Sequence, residues 1–377
     1  MGNFFKTIYR TIDWSLLACL LPIVAASLIT MRSFVGETPY FERQIISIVI
    51  SLVVFFCLTY LDLRFLKRTD VLVFLFLLAC GLLLFVITVG YAAKGAQSWF
   101  RLGGFSFQPS DFVKLVVILL LAKYFSRRHV EIANFKHIVI SALYALIPFG
   151  LVMLEPDFGS GIILFFIWFG MALVSGISKK HLLLVVGVGV VSFVLLWGFF
   201  FKPYQKARIM TFINPLSDIR GAGYNAFQST IAVGSGQFLG KGVGYGTQSR
   251  LNYLPEYQTD FIFASFAEEW GFVGSMLIYI LYGVVLWRIL ATALVAATNF
   301  EMLFGVGVAI FFMSHIVVNI GMNIGIMPVT GITLPFMSYG GSHLIVEFAA
   351  LGIIMSTRKH SRAAHRDDMK NEFLGIA

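Results

Sequence analysis

The feature that most constrains this chain is a succession of long apolar stretches, almost free of charge, that recurs through most of its length. A helix needs about 20 such residues to cross ~30 Å of hydrocarbon. Runs of this kind fall at 14–31, 44–61, 71–91, 109–124, 138–154, 160–177, 182–201, 262–287, 302–326 and 342–357. They are continuous rather than alternating, which excludes a strand barrel. The expected fold is an all-α polytopic membrane protein of about ten transmembrane helices. Composition agrees: of 377 residues, 58% are hydrophobic and 12% charged, whereas soluble domains are about one quarter charged. The first run is too long for a signal-peptide core and leads into no cleavage site, so it reads as a retained span.

Lys and Arg in the loops set the orientation. One side carries seventeen, from Lys6 and Arg10 through Arg64, Lys67, Arg127 and Arg288 to the tail beyond Arg358; the short loops opposite carry four, Arg32, Arg43, Lys94 and Arg101. Both termini are therefore expected in the cytoplasm, and the net charge of +9 is a topology signal and an attraction for anionic lipid. Nucleic acid is not an expected partner, because no soluble basic domain exists to hold it. Cys19, Cys57 and Cys80 lie within apolar runs, where thiols pack as small hydrophobes. The whole chain, 1–377, reads as one membrane domain. It has one large extracytoplasmic loop at 202–261 and a cytoplasmic tail at 358–377.

That loop holds the glycines Gly234, Gly236, Gly240, Gly242, Gly244 and Gly246. The spacing fits neither a Walker loop nor G-x-G-x-x-G, leaving a flexible backbone whose N–H groups and Lys241 can approach an anion. Asp260 opens the apolar run that follows. That position suits an N-cap, the reading the residues alone favour over the alternative of a carboxylate at the boundary between water and a low-dielectric site. At the start of the fourth span stand Trp99, Arg101, Gln108, Asp111 and Lys114. Asp111 and Lys114, three apart, share a helix face, either as a closed pair or with the ammonium free to meet a phosphate. Glu268 and Glu269 lie inside the eighth span and must pair, stay protonated or face water. His315, Asn319 and Asn323 step by four and read as an interhelical hydrogen-bond stripe. His343 and Glu347, also four apart, could join His315 around a metal, but nothing else has ligand spacing.

Several motifs occur in fixed order. Gln108-Pro109-Ser110 comes first. Then follow Asn214-Pro215, Gly221-Ala222-Gly223-Tyr224, Gln228-Ser229, Gly240-Lys241-Gly242, Pro255-Glu256 and Thr259-Asp260-Phe261-Ile262-Phe263. Leu334-Pro335 and Ser338-Tyr339-Gly340-Gly341-Ser342 close the series. Over about Asp13 to Thr357 the chain closely resembles the SEDS family (shape, elongation, division and sporulation), and its short N-terminal tail is more like the elongation than the division branch. The resemblance implies a peptidoglycan glycosyltransferase that polymerises lipid II on the outer face of the cytoplasmic membrane. A class B penicillin-binding protein and other elongation-complex membrane proteins would be its partners, and a divalent cation such as Mg or Mn could assist the diphosphate. It places the catalytic acid at Asp260 and functional residues at Asp111 and Lys114. Glu256 and Thr259 would orient Asp260, and Trp99, Arg101, Arg208, Lys241, Gln228 and Ser229 would contact substrate. Four positions depart from the family pattern: Asp111 for Glu, Gln258 for His, Ile219 for Pro and Ser98 for Arg. The rival expectations are a lipid II flippase, a division-type polymerase of the same family, and a scaffold that recruits a synthase.

Overall fold

In the computed structural model the described residues are 12–34, 40–93, 96–102, 105–127, 135–201, 203–214, 221 and 223–374; for 91–97, 101–105, 196, 200, 203–204 and 359–374 the description is of backbone alone. Every expected span is helical. The helices are α1 (Trp14–Ser33), α2 (Tyr40–Tyr60), α3 (Thr69–Val89), α4 (Pro109–Ser126), α5 (Phe135–Leu154), α6 (Phe158–Val174) and α7 (Lys179–Leu195). Three helices follow within the large loop, α8 (Pro203–Ile213), α9 (Tyr224–Ser235) and α10 (Thr247–Arg250). Then come α11 (Ile262–Leu294), α12 (Asn299–Asn323) and α13 (Gly341–Leu374). Helix α13 runs well past the expected boundary at 357, into what reads as a tail.

Local chemistry explains the ends. Asp13 caps α1, its carboxylate accepting from the backbone N–H of Ser15 at 3.2 Å and Leu16 at 3.3 Å. Pro109 occupies the first turn of α4, where its missing N–H costs nothing. Thr298 caps α12 through Glu301, and Glu301 then pairs with Lys67 at 2.6 Å. The all-α expectation misses one feature: strands β1 (Tyr91–Ala93), β2 (Ala96–Leu102) and β3 (Phe105–Phe107) form a small antiparallel sheet between α3 and α4. Two of the three strands have only three residues, too few to show alternation above their apolar surroundings.

Seven of these helices are long and apolar enough to cross a membrane on composition alone. Helices α4 and α12 form the centre: α12 packs on α4, α6 and α11, and α4 also touches α3, α5 and α6. Gly307 lets α12 approach closely, since a Cβ there would lie 2.6 Å from the Ile118 side chain. Helix α7 buries none of its described side chains. At the end of the bundle that carries most Lys and Arg, Asp13 meets Arg288 and, at 3.0 Å, Arg358, so one carboxylate joins α1, α11 and α13.

The described part of the large loop that follows α9 packs into the bundle. Gly271 adopts φ 65° and ψ −162° inside α11, a conformation essentially reserved for glycine, and breaks the helix there. Residues 237–242 fill the break. Lys241 and Gly242 donate their N–H groups to the Glu268 and Glu269 carbonyls at 3.0 Å, and Phe272 donates to Gln237 at 2.9 Å. A Cβ on Gly240 would sit 2.1 Å from the Glu269 carbonyl oxygen, so this contact requires glycine.

Candidate active site

A cavity of about 780 Å³ lies where α2, α4, α13, the β-sheet and the segment before α11 converge. Its walls bring together Trp99, Asp111, Lys114, Arg208, Glu256, Thr259 and Asp260. Residues separated by more than 140 positions in sequence therefore face one space. That volume falls within the range of about 300–1,000 Å³ usual for ligand clefts.

Asp260 is held by its backbone. Its carbonyl accepts from Asn319 Nδ2 at 2.9 Å and Asn323 Nδ2 at 3.1 Å, which realises the polar stripe expected on α12. Asn323 Oδ1 also accepts the Ala264 N–H at 3.1 Å, fixing the first turn of α11. The cap position of α11 falls on Phe261 without a side-chain cap, so the N-cap reading of Asp260 fails. Its carboxylate instead lies against Gly331, where a Cβ would be 3.5 Å from Oδ2.

The non-helical stretch 324–340 completes the seat. Several of its backbone groups are satisfied by side chains, as irregular structure inside a helix bundle requires. Ser338 Oγ donates to the Thr259 carbonyl at 2.6 Å and accepts the Leu334 N–H at 2.8 Å. The Tyr339 N–H donates to the Gln258 carbonyl at 2.9 Å, and Gln44 of α2 donates to the Ser338 carbonyl at 3.2 Å. The motif around Ser338 and Tyr339 thus holds the chain segment that carries Asp260.

Opposite lies a buried ionic group. Lys114 Nζ contacts Asp111 Oδ1 at 3.0 Å, with both side chains 3% exposed or less. His343 Nδ1 lies 3.3 Å from the same oxygen, and its Nε2 lies 2.8 Å from Glu347 Oε1. The shortening from Glu to Asp at position 111 is therefore met by a partner from α13. Among the described residues, no three His, Cys, Asp or Glu side chains are grouped to hold a metal ion.

Some expected substrate contacts lie elsewhere. Lys241 does not line the cavity: it pairs with Glu268 at 2.6 Å, and Thr247 and Gln248 donate backbone N–H groups to the same carboxylate. The glycine loop does approach an anion, but the anion is a side chain of this protein. Gln228 and Ser229 are also outside the cavity, and Ser229 Oγ donates to the Asn323 carbonyl at 2.9 Å, locking α9 to α12. Thr259 directs its hydroxyl to Glu256 Oε2 at 3.0 Å, so the two orient each other. Arg101 has its backbone on β2, while its side chain lies outside the described residues, as do Lys202, Asp218, Ile219, Arg220 and Ala222 altogether.

The sequence reading passes over Tyr40, Arg43 and Asp157, which line the cavity too. Asp157 caps α6 through the Ser160 N–H at 3.0 Å and accepts from Gln108 Nε2 at 3.0 Å. Its signal was available: two acids around a proline, Glu155-Pro156-Asp157, stand in an otherwise uncharged stretch between two spans. Glu155 is buried in that turn, outside both helices. Burial first, and then the neighbouring Asp157 charge, push its carboxyl from 4.5 up to about 8.

Residues 7–363 match the family model for the FtsW, RodA and SpoVE cell cycle proteins. The chain belongs to this family. It is 37% identical over 356 residues to the peptidoglycan glycosyltransferase MrdB of Escherichia coli K12, covering 93% of this chain and 94% of that protein. It is 34% identical to the probable peptidoglycan glycosyltransferase FtsW of Thiomicrospira cyclica, covering 94% of each. A solved structure describing the coordination of polymerization and crosslinking by a peptidoglycan synthase complex aligns with TM-score 0.79 and 32% identity, over 93% of this chain and 98% of that one. RodA of Thermus thermophilus aligns with TM-score 0.70 and 31% identity, over 93% of this chain and 97% of that one. As a SEDS protein the chain is a bacterial multi-pass membrane protein.

Proposed function

We propose that this protein is a peptidoglycan glycosyltransferase that polymerises lipid II at the outer face of the cytoplasmic membrane, in the elongation of the cell wall. The observation that carries the reading is the convergence of Asp260 with the Asp111–Lys114 pair on one cavity. Its termini lie in the cytoplasm and the cavity opens on the opposite side. Its partner is a class B penicillin-binding protein that cross-links the strands, which agrees with the synthase complex among its structural relatives.

The chemistry is an inverting displacement. The acceptor sugar's 4-hydroxyl attacks the anomeric carbon of the donor, a new C–O bond forms, and the bond to the diphosphate oxygen breaks. The electron pair leaves with the polyprenyl diphosphate, already a good leaving group, so no acid is needed on that side, unlike a glycosidase. Asp260 accepts the hydroxyl proton. Lys114 meets the charge that develops on the diphosphate, with Arg208 as a second cation on the cavity wall. Glu256 and Thr259 brace the turn before Asp260. Ile46 and Ile50 of α2 line the cavity and are exposed, so the polyprenyl tail has an apolar path to the bilayer.

The test is purified protein in detergent with lipid II and no other polymerase, examined for glycan products. Detergent removes the two compartments, so a flippase or a scaffold gives none, and absence of product from folded protein refutes the proposal.

A further inference from the structure

Lys114 is a poor diphosphate ligand if its charge is fully matched by Asp111, its buried partner at i−3. The rest of the ionic group changes that balance. Asp111 Oδ1 lies within reach of both Lys114 Nζ and His343 Nδ1, at 3.0 and 3.3 Å. The other ring nitrogen of His343 is 2.8 Å from Glu347 Oε1. Nδ1 donates to Asp111, and Glu347 sets a second negative charge beside the ring, the surroundings a buried imidazolium needs. Glu347 is fixed in turn by the Phe336 N–H, 2.9 Å from Oε2, and Asp111 Oδ2 receives Ser342 Oγ at 3.4 Å. The order is Glu347 (−), His343 (+), Asp111 (−), Lys114 (+). The His343, Asp111 and Lys114 members reach the cavity wall, and Glu347 lies behind them.

The other group facing His343 is His315, whose ring lies 4.7 Å away at 31°. Its Nδ1 donates to the Thr333 carbonyl at 3.1 Å, and Phe311 covers both imidazoles. His315 and Phe311 thereby pack against the His343 ring.

We propose that Glu347, His343, Asp111 and Lys114 act as one chain of alternating charge that leaves the Lys114 ammonium available to the donor diphosphate, with His343 and Glu347 as positioning residues. This rests on the glycosyltransferase reading of the same cavity. By sharing Asp111 with Lys114, His343 keeps that carboxylate from neutralising the ammonium alone. Glu347 offsets the buried imidazolium, without which His343 gives up its proton and the sharing ends.

The experiment uses the full-length protein in detergent and compares H343Q, E347Q, the double variant and E347D with the parent. Binding of undecaprenyl diphosphate is measured beside uncharged undecaprenol, and melting temperature and lipid II turnover are followed. H343Q and E347Q should each weaken diphosphate binding by about tenfold, the scale of one charge-assisted contact. Undecaprenol binding should be unmoved, turnover at saturating lipid II should fall no further than diphosphate binding does, and E347D should recover most of the loss. The double variant should be no worse than the weaker single, the mark of residues acting as a unit. Unchanged diphosphate binding in folded single variants, losses that multiply in the double, or an equal loss for undecaprenol would each overturn the proposal. If the parent binds diphosphate through this chain but makes no glycan, the glycosyltransferase reading fails and the charge chain stands.

Discussion

Lys241 and Glu268 meet at 2.6 Å, and the Glu268 carboxylate is completely buried while the lysine is 29% exposed. The pair fastens the glycine loop to α11 and takes no part in lining the cavity. Lys241→Met should therefore lower the melting temperature, by about 1–2 kcal/mol of stability once the lysine's partial exposure is allowed for. Lipid II turnover per folded molecule should be unaltered. A variant with normal melting and lost turnover would return Lys241 to the substrate.

Asp260→Asn keeps the shape of the side chain and the backbone bonds to Asn319 and Asn323, but removes the proton acceptor. Glycan synthesis should fall at least about hundredfold, as expected for loss of a general base, with the melting temperature unchanged. Substantial turnover by the purified variant would remove Asp260 from the chemistry.

Lys114→Met should weaken lipid II use more than it weakens the fold. It takes away the cation that faces the diphosphate, and Asp111 keeps His343 as a partner. The apparent KM and the melting curve measure the two effects separately, and unchanged kinetics would make the pair a packing device.

Asn323→Ala leaves the Asp260 carbonyl with one donor instead of two and the Ala264 N–H without its acceptor. The cost should be about 1–3 kcal/mol of stability. Because Asn323 sets the position of Asp260 rather than touching substrate, kcat should fall while KM holds.

Glu155 gives a pH signature. Its carboxyl is raised from 4.5 to about 8 by burial and by Asp157, so the folded state binds its proton more tightly than the unfolded chain does. The stability this contributes is complete below about pH 4.5 and is lost as pH rises through about 8. Glu155→Gln mimics the protonated form at every pH. It should raise the melting temperature at pH 8 by a few degrees, leave it unchanged below about pH 4, and flatten the profile between. An equal shift at both pH values would refute the assignment.

The spans were legible because hydrocarbon accepts little except continuous apolar helix, and the ten runs coincide with ten helices. Asp260, Asp111 and Lys114 could be singled out because charge at a membrane boundary is rare. The motif around Ser338 was visible as a string, but its task was not: Ser338 reaches a carbonyl 79 residues away. Long-range pairs of that kind leave no local pattern. The pairings of Lys241 with Glu268 and of Ser229 with Asn323 were hidden for the same reason, since a lysine among glycines looks the same whether its anion is a substrate or a glutamate from another helix. The step of four between His343 and Glu347 was plain, yet only the arrival of Asp111 from α4 makes it part of the site.

The break at Gly271 has a practical corollary. Helix α11 is two rods spliced by backbone borrowed from residues 237–242, so a tag or protease site inserted there would unseat both halves and tilt the rod that begins just after Asp260. Engineers wanting a handle on this side should leave that splice alone.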